Sequence, residues 1–394
     1  MQRRSQTALL AVASLLLAAG CSSGGAPAGG GGGSTATSKG KGSGAPASPR
    51  ATPSATAPPA KGSAKVVATL TTGLKSPWGV AVLPGGDLLV ASRDTGKIVR
   101  VAADDGKTTE LGSVAGVDPG GEGGLLGIAV SPTFGADHEV YAYFTTASDN
   151  RIARLIYDEK RPEGDQLGAP DTILRGIPKG RIHNGGRIAF GPDKMLYAGT
   201  GETGDTGLAQ DKDSLGGKIL RMTPDGEPVH GNPRADSVVY DYGHRNVQGL
   251  AWDDDKRLWA SEFGQDTWDE LNLVEPGRNY GWPEVEGKAK GGEGRAGFVD
   301  PVEAWRTADA SPSGIAYAKG SVWMASLRGE RLWRIPLNGT RPVAAPQPYL
   351  TEKYGRLRTV VAAGDGSLWL VTSNTDGRGR PRKGDDRILR LKVS

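Results

Sequence analysis

Residues 249–262 read Gly249-Leu-Ala-Trp-Asp-Asp-Asp-Lys-Arg-Leu-Trp-Ala-Ser-Glu262: a short apolar strand with a small first residue, a charged turn, then a second apolar strand. The same phrase recurs. It stands at Gly79-Val-Ala-Val-Leu-Pro-Gly-Gly-Asp-Leu-Leu-Val-Ala-Ser92, and at Gly127-Ile-Ala-Val-Ser-Pro132 with Val140-Tyr-Ala-Tyr-Phe144. It returns as Arg187-Ile-Ala-Phe-Gly-Pro-Asp-Lys-Met-Leu-Tyr-Ala-Gly-Thr200, as Gly314-Ile-Ala-Tyr317 with Val322-Trp-Met-Ala325, and as Thr359-Val-Val-Ala362 with Leu368-Trp-Leu-Val371. A third, charged strand follows each copy, for example Lys97-Ile-Val-Arg-Val101, Lys218-Ile-Leu-Arg-Met222 and Arg387-Ile-Leu-Arg-Leu391. Successive starts lie about 45 to 65 residues apart, and no stretch keeps a helical period. Short strands with turn signals at that spacing are how β-propeller blades of ~40–50 residues appear in sequence, whereas a sandwich lacks such self-similarity. The repeats predict an all-β, six-bladed β-propeller of four-stranded antiparallel blades over residues 65–394. Functional groups are then expected on loops around the central channel, and the fold alone names no function.

What precedes the repeats is different in kind. Met1-Gln-Arg-Arg4, an apolar run from Ala8 to Leu17 and Ala18-Ala-Gly-Cys21 have the parts of a secretory signal. The run is too short for a permanent membrane span. Leu17-Ala-Ala-Gly-Cys21 resembles the bacterial lipobox, which implies a lipidated Cys21 and an anchor on the outer face of the cell membrane. Cys21 is the single cysteine, so no intrachain disulfide forms. Residues 22–64 are nearly all Gly, Ser, Ala, Thr and Pro, a composition with little to bury, and are expected to be a disordered tether. The charge follows this division. Eight of the 48 Lys and Arg residues precede Asp87, the first acidic residue, and the other 40 share residues 87–394 with all 44 acidic ones. The excess of cations therefore lies ahead of Asp87, six of the eight in the leader and tether, and residues 87–394 are net −4. A nucleic-acid partner is not expected.

The segments between the repeats carry the chemistry. Gly-rich and polar, they include Glu122-Gly-Gly124, His183-Asn-Gly-Gly186, Gly243-His-Arg-Asn246, Glu262-Phe-Gly-Gln265 running on to Asp269-Glu270, and Asn279-Tyr-Gly-Trp-Pro283. Arg328 closes the second strand of the fifth repeat, and Arg356 and Arg358 open the sixth. A channel mouth with a histidine and several arginines suits an anionic ligand together with a general base. His138 and His230 sit in turn-like contexts, and His244 beside Arg245 reads as structural.

In that order and combination these motifs resemble the glucose/sorbosone dehydrogenase family, the soluble aldose sugar dehydrogenases that use pyrroloquinoline quinone, over about residues 66–392. The resemblance implies oxidation of an aldose at C1 to the lactone or acid, with electrons passed to an external acceptor. It makes His183 the general base. Arg245 and Asn246 would face the quinone, with Arg245 answering the negative charge that develops there, and Arg328, Arg356 and Arg358 would hold the cofactor's carboxylates. Calcium is implied as a second cofactor, bound by the backbone carbonyls of Gly264 and Gln265, with Glu262, Asp269 or Glu270 as ligands of a further ion. Two positions depart from some members: Glu122 stands where they have Gln, and Ile182 where they have Asp. Both positions hold sugar hydroxyls in glucose enzymes, so glucose is not the expected substrate. A non-catalytic envelope propeller that binds glycans or proteins is the other class to weigh. The arginine set favours the enzyme.

Overall fold

A computed structural model describes residues 58–289 and 294–394, and the leader, Cys21 and the tether as far as residue 57 lie outside them. Six antiparallel sheets follow in chain order. The first blade is Pro77–Val82, Leu88–Ser92, Lys97–Val101 and Thr108–Ser113. The second is Leu125–Val130, Glu139–Thr145, Asn150–Ile156 and Asp171–Ile177, and the third Ile188–Phe190, Leu196–Gly199, Lys218–Met222 and Val239–Tyr242. The fourth is Val247–Trp252, Leu258–Glu262, Trp268–Val274 and Glu303–Arg306. In the fifth, Pro312–Ala318, Ser321–Ser326 and Arg331–Asn338 are completed by two short pieces, Arg341–Pro342 and Gln347–Tyr349. The first strands of successive blades pack side by side, and that of the sixth packs back on that of the first. The sheets thus form a closed ring around a channel, the six-bladed propeller that the repeats predict.

The sixth blade explains the closure. Leu357–Ala362, Leu368–Thr372 and Arg387–Val393 are joined by Ala64–Thr72, which pairs antiparallel with the C-terminal strand. The start of the domain therefore supplies the outer strand of its last blade and covers the edge that the C-terminal strand would otherwise leave open. Three strands per repeat are visible in sequence, but nothing there says that this one comes from the other end. Residues ahead of it are tied down too. Arg334 Nη2 donates to the Pro59 carbonyl (3.0 Å), Tyr349 Oη to that of Gly62 (2.7 Å), and Ser63 N–H to that of Ser394 (3.1 Å). The last residues of the stretch expected as tether, up to residue 64, thus already belong to the folded body.

The core is a ring of six seams rather than one centre. Each hydrophobic cluster lies mainly between two neighbouring blades, as where Ile98 and Leu111 of the first meet Leu125 and Phe144 of the second. Both faces of a blade are covered, so middle strands such as Leu88–Ser92 and Leu258–Glu262 are buried at every residue. That is why they read as unbroken apolar runs rather than alternating ones. The glycine near the start of four of the first strands answers to crowding at the axis. A Cβ on Gly127 would strike the Gly186 carbonyl of the next blade, and one on Gly79 the Leu126 carbonyl.

In five blades the pairing of first and second strands slips just there, between Pro77 and Val80, Leu125 and Ile128, Val247 and Gly249, Pro312 and Ile315, and Leu357 and Thr359. Such bulges re-aim side chains. The slipped residues include Trp78, Gln248 and Arg358, all of which face the channel mouth. Gly127→Val should therefore lower unfolding stability by about 3 kcal/mol through overpacking, read from denaturant midpoints. A midpoint equal to the parent's would show that the inner strands have room to part.

Candidate active site

In each blade the start of the first strand and the end of the second lie at the same end of the ring, because the two run antiparallel. Loops between blades and loops after second strands therefore share one mouth. They enclose a cavity of about 350 Å³. Glu122 and His183 come from inter-blade loops, as does Arg356, while Arg93, Phe263-Gly-Gln265, Arg328 and Asp376 follow second strands.

His183 sits in the left-handed region (φ 52°), which a side chain adopts only when its surroundings hold it there. Gly185 and Gly186 follow at φ 63° and 111°, and a Cβ on Gly186 would press into Leu126. The strand then begins at Ile188. Three carboxylate and amide contacts fix this loop. The His183 N–H donates to Glu122 Oε2 (2.9 Å), the Gly185 N–H to Asn246 Oδ1 (2.9 Å), and His183 Nδ1 lies 2.6 Å from Glu202 Oε1. A carboxylate only accepts, so Nδ1 carries the proton and Nε2 keeps its lone pair. Glu202 is buried, its other oxygen held by the Gly204 N–H. The arrangement is an imidazole whose tautomer is set by its partner.

The cavity wall is cationic. Arg93, Arg245, Arg328, Arg356, Arg358 and Arg378 face Glu122, Asp269 and Asp376. Some of these charges are answered within the protein. Arg93 pairs with Asp94 (2.6 Å) and Arg378 with Glu122 (2.7 Å), while Asp376 alone serves both Arg356 (3.0 Å) and Arg358 (3.2 Å). Those two guanidinium groups hold the Asp376 carboxyl low against the upward push of its burial. Arg245 and Arg328 have no carboxylate partner among the described residues. Buried donors are left over as well: Arg245 Nε, Arg358 Nε and Asn246 Nδ2 find no acceptor among the described residues. Unmet buried donors in a cationic hollow call for an anionic, acceptor-rich ligand.

The loop after the fourth blade's second strand is held by two carboxylates. Glu286 Oε1 accepts from the N–H groups of Gln265, Asp266, Thr267 and Trp268 at 2.8–3.2 Å, and Asp269 Oδ1 from that of Gly264 (2.9 Å). A trans peptide points its carbonyl opposite to its N–H, so the Gly264 and Gln265 carbonyls turn away from Glu286. Both residues line the cavity, and neither carbonyl accepts a hydrogen bond among the described residues. Burial pushes Asp269 up to about 6, partly offset by the N–H groups of Ser311 and Gly264.

Behind the wall lies a sealed ionic cluster. His244 reaches Glu262 (2.7 Å) and Asp241 (3.2 Å) and stacks on Tyr280, 4.7 Å between ring centres. Burial alone would lower its pKa, but the two carboxylates outweigh it and raise it to about 10. Glu262 Oε2 also accepts the Arg245 N–H, which fixes the backbone of that arginine.

A family model for glucose/sorbosone dehydrogenases matches residues 74–389. The chain belongs to the glucose/sorbosone dehydrogenase family. Its fold superposes, with a TM-score of 0.84 and 72% identity over 86% of this chain and all of the other, on the PQQ-bound form of an aldose sugar dehydrogenase from Streptomyces coelicolor. The aldose sugar dehydrogenase YliI of Escherichia coli K12 is 30% identical over 332 residues, 77% of this chain and 89% of the relative. Quinoprotein glucose dehydrogenase B of Acinetobacter calcoaceticus is 33% identical over 244 residues, about half of each chain.

Against the glucose/sorbosone dehydrogenase motifs, the structure sorts the site residues that the sequence predicts. Glu122, His183, Arg245, Arg328, Arg356 and Arg358 meet at the cavity, as do Gly264, Gln265 and Asp269. Asn246 and Glu262 stand behind it, one supporting the His183 loop and the other Arg245. Both oxygens of Glu122 are taken, so it acts as a clamp on the His183 loop more than as an open acceptor. Among the described residues no three His, Cys, Asp or Glu side chains gather as a metal cluster. Sequence reading passed over Glu202, Asp376 and Arg378. Each follows the second strand of its blade, where Arg93 and Arg328 also stand, so aligning the repeats on that strand's end would have found them.

Asp376→Asn leaves Arg356 and Arg358 buried without a counter-charge and should cost about 3–5 kcal/mol of stability at neutral pH. The carboxyl's pKa is depressed in the folded state, so this contribution is present above about 3.8 and is lost as pH falls through the lower folded value. The gap between parent and variant should therefore close in acid. A gap that stays constant with pH would remove the carboxylate from the account.

Proposed function

We propose that the protein is a pyrroloquinoline quinone-dependent dehydrogenase that oxidises an aldose, or a related aldehyde, at C1 to the lactone or acid. The observation that carries this reading is the His183–Glu202 pair opening onto a cavity with surplus arginine charge and unmet donors. The relatives named above support the same cofactor. When bound, the quinone supplies the two-electron acceptor for the hydride that leaves C1.

The residues present fit such a group. A tricarboxylate suits a wall where Arg328 has no acid and Arg356 and Arg358 share one. Arg245, its Nε unpartnered, is placed to answer charge that builds on a reduced ligand. The free carbonyls of Gly264 and Gln265 are hard oxygen donors of the kind calcium takes. His183 Nε2 accepts the proton of the anomeric hydroxyl as the C1–O bond becomes a carbonyl, and Glu202 stabilises the imidazolium that results. The exposed Ile182 side chain offers no acceptor to a sugar hydroxyl, which favours an aldose other than glucose.

The test is dye reduction by protein loaded with the quinone and calcium, across a panel of aldoses. His183→Ala should keep cofactor binding and lose about 10²–10⁴-fold in turnover. Glu202→Gln should lose about 10²-fold or more, because an amide lets Nδ1 act as acceptor and puts the proton on Nε2. No turnover with any sugar and no cofactor uptake would favour the non-catalytic propeller instead. We also place the chain on the outer face of the membrane, held through Cys21. Cys21→Ser should release it into the soluble fraction, and an unchanged membrane fraction would refute the anchor.

A further inference from the structure

The channel floor holds a charge that the reaction above does not use. Arg187 occupies the place that is glycine at positions 79, 127, 249 and 314 and threonine at 359. Its side chain crosses the channel. Nε donates to the Gln248 carbonyl (2.8 Å) and Nη2 to Thr359 Oγ1 (3.1 Å). The guanidinium lies 4.5 Å from the Trp78 ring centre, and Gly314 leaves the room it needs. One residue of the third blade thereby meets the inner strands of the fourth, fifth, sixth and first.

The group is 6% exposed and makes no ion pair among the described residues. The nearest charge of note is another cation, Arg358, against the same indole at 5.6 Å. Burial, with Arg358 beside it, presses its pKa down to about 9. A carbonyl, a hydroxyl and a ring face satisfy the shape of a guanidinium but not its charge, and a buried charge without a counter-ion is destabilising. Filling the channel needs no charge, since an unbranched neutral side chain of similar length would do it. Trp78 carries the Arg187 guanidinium over its ring with that of Arg358 against the same indole, and both Trp78 and Arg358 line the cavity while Arg187 does not.

We propose that Arg187 is a positioning residue for the anionic ligand: a buried cation beneath the cavity floor, left without a partner in the free protein and completed when a polycarboxylate binds above Trp78 and Arg358. It acts through those two side chains and not by contact. The inference rests on the proposed function for the identity of the ligand.

The experiment titrates pyrroloquinoline quinone into the cofactor-free full chain by calorimetry, for the parent, Arg187→Met and Arg187→Lys, with the melting temperature of each free protein alongside. Loss of the charge alone should weaken binding about tenfold or more. At the same time the free Met variant should melt no lower than the parent, which a merely structural arginine would not allow. Lys, which keeps the charge, should bind within about threefold of the parent. Parent-like affinity in the Met variant overturns the inference, as does a loss of affinity in step with a fall in melting temperature that Lys fails to rescue. Should the Met variant not fold, Lys decides alone: retained affinity supports a role for charge, and a tenfold loss refutes it. If the parent itself takes up no quinone, the functional reading falls and this inference with it. If the parent binds and Met binds equally, only this inference falls.

Discussion

Six inner strands brought together around one axis leave almost no space between them, and the rest of the molecule follows from that crowding. Glycine at the close approaches lets neighbouring backbones touch. The strand pairing yields by slipping a residue at the same level in five blades. Three of the slips bring Trp78, Gln248 and Arg358 to the floor of the cavity. The site is a by-product of how the ring closes, lined by groups that close packing had to displace.

Above that floor the acids and bases are divided by task. Most carboxylates near the cavity are spent on the protein itself: Glu286 and Asp269 on backbone N–H groups of one loop, Glu262 on His244 and Arg245, Glu122 on the His183 loop and Arg378. Holding loops open with charge-assisted hydrogen bonds is strong and needs no bulk. The arginines are compensated only in part. Rigid acids and under-compensated bases together make a preorganised site for an anion, in which little must rearrange when the ligand arrives.

Much of this was legible from residue order alone. The doubled apolar runs marked first and second strands because both faces of each blade are covered, and their number fixed the blade count. His183 and the arginines stood out because their neighbours, Gly185 and Gly186 above all, have no use other than a tight loop. What stayed hidden was long-range. Glu202 lies 19 residues from His183 and Asp376 lies 20 from Arg356, and spacing gives no sign of either pairing. Nor does composition distinguish Asn246, which braces a loop, from Arg245 beside it, which faces the cavity. Arg187 was read as the start of a strand. Only the geometry shows that it spans the channel.

The outer strand of the sixth blade, Ala64–Thr72, is the first of the propeller to be made, and its partner Arg387–Val393 is the last. Ser63 and Ser394, 331 residues apart, are hydrogen-bonded neighbours. No partial chain can close the ring. While synthesis proceeds, the earlier blades can pair their own strands, but the sixth blade stays incomplete until Arg387–Val393 has been made and can take up Ala64–Thr72. Until then a partial chain presents two exposed edges to whatever meets it first.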